Sequence, residues 1–172
     1  MEENAQQFSR TERLLGAAAV ERLRQSCVAV FGLGGVGSFA AEALARVGIG
    51  RLILVDCDTV SESNLNRQLI ALHSTIGMPK VAVMEARVRD INPAAAVTTY
   101  MLRYGADTEA AVDLASCGYI VDAVDTVTAK LLLVERAKRE NIPIICCMGT
   151  GNKLNAAAFR VADIAQTDVC PL

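Results

Sequence analysis

A chain of 172 residues, 52% of them hydrophobic, is long enough for one domain with a full core, and its formal net charge of −2 excludes the overall basic charge of a dedicated nucleic-acid binder while leaving a local basic groove open. No stretch approaches the ~20 apolar residues of a membrane span, and the opening MEENAQQFSR lacks the charged-then-apolar plan of an export signal. The six cysteines, Cys27, Cys57, Cys117, Cys146, Cys147 and Cys170, form no C-x-x-C pair, which argues against a zinc site and for a reduced, cytoplasmic setting. The lone His73 offers no general-base constellation.

In chain order, residues 10–24 (RTERLLGAAAVERLR) read as helix broken at Gly16, and CVAVF (27–31) as a strand. Val36, Phe39, Ala40, Ala43, Leu44 and Val47 recur at helical spacing, and Gly48 to Gly50 close that helix. RLILV (51–55) is a second buried strand ending at Asp56, and 57–78 reads as loop with a short helix around Leu65 to Leu72. Pro79 falls at a first helical position; Val81, Met84, Val88 and Ile91 then form one apolar stripe, stopped at Asn92-Pro93. Further along, AVTTYM (96–101) is predicted as strand, DTEAAVDLA (107–115) as helix and YIVDAV (119–124) as strand. A helix over 126–140, a strand in IPIICCM (142–148) and an alternating edge or antiparallel strand in FRVADI (159–164) complete the pattern. Strands alternating with helices predict an α/β fold: a Rossmann-like, doubly wound, mainly parallel sheet with helices on both faces, one domain over 1–172. The end at VCPL brings no closing element, so a C-terminal portion is expected to be lacking.

The glycines Gly32-x-Gly34-x-x-Gly37, with Gly35 between them, follow a strand and open a helix, the order of a dinucleotide-binding fingerprint. The first permits a tight turn, the second lets backbone amides approach phosphate, and the third allows close helix–strand packing. A glycine-rich turn without ligand is the plain alternative. Asp56, nineteen positions after Gly37, ends the next strand where a ribose-binding acid would stand. Such an acid serves NAD and ATP alike, so the choice between them rests on the loops after β-strand positions 51–55 and 119–124. DCDTVSESNLNRQ (56–68) supplies Asp58, Asn64, Arg67 and Gln68, Lys80 opens the next helix, and DAVDT (122–126) puts Asp122 and Asp125 at a strand's C-terminal end. Chemistry at an α-phosphate needs such cations and a carboxylate for Mg²⁺; hydride transfer needs neither. Singly, Arg67 could be solvated, Lys80 could decorate a helix and Asp125 could cap the helix near Thr126.

GLGGVGS, DCDTVSESNLNRQ, GMPK and DAVDT together resemble the nucleotide site of the ubiquitin-activating-enzyme superfamily, from roughly Arg10 to the end. That resemblance implies a homodimeric ATP-binding fold that adenylates carboxylates and releases pyrophosphate. It implies that Gly32, Gly34, Gly35 and Gly37 line the phosphates, Asp56 binds ribose, and Asn64, Arg67 and Lys80 contact the phosphates. It further implies that Asp125 holds the magnesium and that Arg13 reaches into the partner subunit's site, against the alternative of an exposed helix face. Within the superfamily, TERLLG, DAVDTVTAK, MGTGNKLN (148–155) and VADIAQTDVCPL (161–172) resemble the tRNA threonylcarbamoyladenosine dehydratases. The implied reaction is ATP-dependent cyclisation of the threonylcarbamoyl group on tRNA: the modification's carboxylate is adenylated, and an intramolecular nucleophile closes the ring and expels AMP. No protein nucleophile is required. Cys146 and Cys147 accordingly read as core packing, Cys170 as exposed and without an assigned role, and Lys153 as either an RNA-steering or a solvated lysine. Members of that family continue past this point with further strands and a basic portion suited to RNA. The alternative is an adenylyltransferase for the C-terminal Gly-Gly of a small sulfur-carrier protein, with a sulfur-relay protein as candidate partner; many such enzymes carry C-x-x-C pairs, absent here. A non-catalytic nucleotide-binding subunit is disfavoured because Arg67, Lys80 and Asp125 are all present.

Overall fold

The structure is a computed structural model that describes residues 6–149, 151 and 154–167. Its centre is two apolar strands, β1 (Cys27–Phe31) and β2 (Arg51–Val55), in which every residue but Arg51 is buried. Such unbroken apolar runs, rather than alternating ones, are what a parallel strand covered on both faces requires. With β3 (Ala96–Tyr100), β4 (Tyr119–Asp122) and β5 (Ile144–Cys146) they form a five-stranded sheet in the order β3-β2-β1-β4-β5. Every pairing in it is parallel, with Phe31 opposite Val55 on one side and Asp122 on the other.

Alternate residues of each strand feed different cores. Val28, Val30, Leu52 and Leu54 pack with Ala41 and Ala45 of α3 (Gly37–Val47) and with Val81, Met84 and Val88 of α4 (Lys80–Ile91). Ala29, Phe31, Ile53 and Val55 face Ala129, Leu133 and Ala137 of α5 (Val127–Glu140), together with Val112 and Leu114. Two shorter helices, α1 (Ser9–Leu15) and α2 (Ala17–Gln25), join at Gly16, whose φ of 85° breaks the run as expected. The sheet order reverses at β1, between β2 and β4, so a crevice opens beyond the carboxyl ends of those strands.

Several expected elements are shorter or different. In place of a helix at Leu65–Leu72 there are single 3₁₀ turns at Glu62–Asn64 and His73–Thr75. Side chains account for this: Asn64 Oδ1 accepts the Ser61 N–H (3.1 Å) and Thr75 Oγ1 accepts the Leu72 N–H (2.9 Å), a local alternative to the helical ladder. Pro79 precedes α4 as its cap rather than filling its first position. The segment 107–115 makes only one turn, at Glu109–Ala111. The buried Arg136 takes the Glu109 and Val112 carbonyls (2.6 and 2.7 Å), and Val112 and Leu114 are both turned into the core at strand-like spacing. The predicted strand at 159–164 does not form; Asn155 and Asp163 instead cap one-turn 3₁₀ segments at Ala156–Ala158 and Ile164–Gln166. Among the described residues the sheet therefore has no antiparallel member.

Candidate functional site

Beyond the ends of β1, β2 and β4 lies an open cavity of about 720 Å³ whose lining includes Gly32, Gly34, Gly35, Asp56, Arg67 and Asp125. The turn from β1 into α3 sets its floor. Gly32 has φ 86°, and a Cβ there would stand 2.6 Å from the Ala123 carbonyl oxygen, so only glycine fits. Gly37 lies buried behind the loop, where a Cβ would meet the Gly32 oxygen at 1.8 Å. It permits close packing of α3 and is not among the residues that line the cavity. At Gly34 a Cβ would meet Gln68 Nε2 at 3.7 Å, and at Gly35 the Arg67 backbone oxygen at 3.5 Å and its side-chain Cγ at 3.6 Å, all ordinary contacts. The fold does not demand glycine at those two, and their bareness instead leaves backbone open towards the cavity.

Asp56 holds this floor in place. Its Oδ2 accepts the Leu33 N–H (2.6 Å) and its Oδ1 the Asp58 N–H (2.8 Å), and each oxygen keeps further lone-pair capacity. The following loop brings in Asn64, buried, with Oδ1 committed to Ser61, and Arg67, whose Nη1 donates to the Ser63 carbonyl (2.9 Å) and Asn66 Oδ1 (3.0 Å). No carboxylate pairs with Arg67 among the described residues. Lys80 is 5% exposed and its Nζ donates to Asp58 Oδ2 at 2.9 Å, so it is not a solvated helix decoration. That contact is the main cause holding the Asp58 carboxyl below its usual range, against the opposing effect of burial.

Asp125 does not cap α5. The helix starts after Thr126 with no side-chain cap, and among the described residues the Asp125 carboxylate accepts only from the Thr126 hydroxyl, at 3.3 Å. It stands exposed at the cavity wall. Asp122, grouped with it in the sequence, is fully buried: Oδ1 accepts the Val124 N–H (3.1 Å) and Oδ2 pairs with Lys130 Nζ (3.1 Å). Lys130 and Arg103, both cavity-lining, escape sequence reasoning: Arg103 lies in no glycine or acid motif, and Lys130 ends DAVDTVTAK with no role that spacing assigns. Arg13 is exposed on α1 and does not line its own chain's cavity. The Cys146 thiol is pushed up to about 12, first by burial and then by Asp122, and burial pushes Cys147 up as well, so both stay protonated; both are half-buried rather than core residues, and Cys147 lines the cavity. Lys153 and Cys170 lie outside the described residues.

The cavity fits an anionic nucleotide. Gln68, 7% exposed on its wall, brings a polar amide whose Oε1 is buried with no hydrogen-bond partner among the described residues. Gly34 and Gly35 leave a cradle, and Arg67 brings a charge that no carboxylate offsets among the described residues. For a divalent cation the available donor is Asp125. The alternative cluster of Asp56, Cys57 and Asp58 has ligand atoms within 4.8 Å of one another, but its carboxylates are engaged by backbone N–H groups and by Lys80.

A doubly wound parallel sheet with a glycine turn, a strand-end acid and cations over one crevice defines a nucleotide-binding α/β protein of the Rossmann type. The chain belongs to the ThiF family, which matches residues 8–169. It is 46% identical over 166 residues to the tRNA threonylcarbamoyladenosine dehydratase of Bacillus subtilis (strain 168), covering 96% of this chain and 65% of that protein. It is 39% identical over 167 residues to the dehydratase of the same name from Escherichia coli (strain K12), covering 97% of this chain and 62% of that one. The crystal structure of the E. coli tRNA N6-threonylcarbamoyladenosine dehydratase in complex with ATP superposes with a TM-score of 0.97 at 38% identity, over 100% of this chain and 71% of that chain. The chain thus spans less than two thirds of the length of these two curated relatives.

Proposed function

We propose that this chain is the ATP-binding, carboxylate-adenylating unit of a tRNA threonylcarbamoyladenosine dehydratase. The observation that carries this reading is the convergence of Arg67, Lys80 and Asp125, far apart in sequence, on one glycine-floored cavity. The likeness to a dehydratase in complex with ATP supports the choice of nucleotide. In this reading Gly34, Gly35 and the N-terminus of α3 receive the phosphates through backbone amides and the helix dipole. Asp56 accepts from the ribose hydroxyls, and the Asn64 amide nitrogen donates to a phosphate oxygen. Arg67 and Lys80 offset the charge that grows on the α-phosphate as the substrate carboxylate attacks it and pyrophosphate leaves. Mg²⁺, held by Asp125, would neutralise phosphate oxygens. The nucleophile and the electrophile both belong to substrates, so positioning is the protein's main contribution.

The whole enzyme, in this proposal, is a cytoplasmic homodimer acting on tRNA that carries threonylcarbamoyladenosine, with Arg13 entering the partner's cavity and a sulfur-relay protein as a further candidate partner. No helix among the described residues is long and apolar enough to cross a membrane. The test uses protein extended to the length of its relatives, with ATP, Mg²⁺ and tRNA bearing the modified adenosine. Mass spectrometry of the digested nucleosides should show ATP-dependent loss of one water. If ATP binds while the nucleoside stays intact, and pyrophosphate exchange instead responds to a Gly-Gly-tailed carrier protein, the adenylyltransferase reading replaces this one.

A further inference from the structure

At the edge of the cavity, partly lining it, lies a buried ion pair. Lys130, on the first turns of α5, is 6% exposed, and its Nζ donates to Asp122 Oδ2 at 3.1 Å and to the Cys147 carbonyl at 2.8 Å. Asp122 is fully buried at the end of β4, and its other oxygen accepts the Val124 N–H at 3.1 Å. One carboxylate thus fastens the backbone of the β4–α5 loop, and one ammonium fastens that carboxylate to both α5 and the end of β5. A buried charge pair is weak evidence for a stabilising role, since apolar residues of equal volume often do as well.

The loop so held is the one that carries Asp125. Its neighbours show how little freedom it has: the Ala123 N–H donates to the Phe31 carbonyl at 2.8 Å, and the Ala123 oxygen sits where a Gly32 Cβ would be, 2.6 Å away. Among the described residues, Asp125 itself has only the weak contact with Thr126 to fix its aim. Past Cys147 the chain runs into Met148 and Gly149 on the cavity wall, so the same lysine also sets where that wall begins.

We infer that Lys130 is a positioning residue of the nucleotide site: through Asp122 and the Cys147 carbonyl it fixes the Val124–Asp125 backbone and the direction in which Asp125 presents its carboxylate to a metal-bound nucleotide. This rests on reading the cavity as an ATP site. Positioning of this kind acts on the metal-dependent part of binding and leaves the phosphate cradle alone.

The experiment measures ATP affinity of this chain by calorimetry, with Mg²⁺ and again in chelator, for the wild type, Lys130→Met and Lys130→Arg. The wild type should bind ATP more tightly with Mg²⁺. Lys130→Met should lose at least tenfold of that enhancement while its affinity in chelator stays within about twofold, and Lys130→Arg, which can reach both acceptors, should restore most of it. An equal loss in both conditions would mean a merely structural role and would overturn the inference, as would a folded Lys130→Met with the enhancement intact. Should Lys130→Met fail to fold because Asp122 is left charged and buried, the pair Asp122→Asn with Lys130→Met removes both charges; it is expected to fold and to lose the enhancement, and keeping it would equally overturn the inference. A wild-type chain that binds no ATP overturns the nucleotide reading itself, a result distinct from any failure at Lys130.

Discussion

Asp56 and Asp58 lie two residues apart and are held in opposite ways. Asp56 is fixed by two backbone N–H groups and in turn fixes the glycine loop, whereas Asp58 is more than half exposed and is held by one buried lysine. Asp56→Ala removes two charge-assisted hydrogen bonds, and we expect it to cost about 1.5–3 kcal/mol in urea unfolding as well as weakening ATP binding more than tenfold. A pH effect belongs to Glu42 on α3, which pairs with Arg87 of α4 and accepts from Arg46 Nε at 2.7 Å. The Arg87 hydrogen bond holds its carboxyl below the ordinary 4.5, outweighing burial, with Arg46 adding to it. A depressed folded pKa stabilises the native state fully above the unfolded value and loses that stabilisation as pH falls through the folded one. Urea unfolding at about pH 7 and again near pH 3.5 should therefore show a smaller drop in stability for Glu42→Gln than for the wild type. These acids were visible in the sequence as acids; that Asp56 braces Leu33 was not, because the N–H it takes lies 23 residues earlier.

At the level of elements, the turn from β1 to α3 separates glycines needed by the fold from those useful to a ligand. A methyl at Gly37 would meet the Gly32 oxygen at 1.8 Å, inside any tolerable contact, while one at Gly35 would meet Arg67 at no less than 3.5 Å. Gly37→Ala is accordingly expected to lower thermal stability sharply, by about 1–3 kcal/mol or more, and to lose nucleotide binding with it. Gly35→Ala should melt close to the wild type yet bind ATP several-fold more weakly, a contrast that thermal melts and calorimetry on the two variants resolve. Periodicity located α3 and α4 well, since each carries an apolar stripe with clear stops, and the helix expected over 126–140 is α5. Periodicity failed at 107–115 and 159–164, where the deciding contacts are side chains bonding to backbone: Arg136 in the first, Asn155 and Asp163 in the second.

For the molecule as a whole, stability rests on two cores that the sheet keeps apart, and Leu133, fully buried in the one beneath α5, is a fair probe of it. Leu133→Ala should cost about 2–5 kcal/mol without touching the cavity. The proposed dimer has its own test. If Arg13 of one protomer serves the cavity of the other, mixing full-length Arg13→Ala and Asp125→Ala proteins should create hybrids with one intact site. Turnover should then recover to about a quarter of wild type at equal mixing, as random pairing in a twofold-symmetric dimer requires. Two inactive parents that stay inactive when mixed and re-equilibrated would show that Arg13 does not serve the partner's cavity.

The parallel sheet, the glycine turn, the acid at the end of β2 and the cations of the loop after it were all legible along the chain. Unbroken apolar runs, glycine spacing and charge order are local properties that a chain displays without folding. Folding alone settled which of these residues share a surface. Asp122 and Asp125 read as a pair and proved to be a buried anchor and an exposed acid at the cavity wall. Lys80 had an innocent reading until its burial excluded it, and Lys130, though it ends DAVDTVTAK, had no role that spacing could assign. Burial and long-range hydrogen bonding depend on contacts between segments tens of residues apart, and no spacing rule along the chain carries that information.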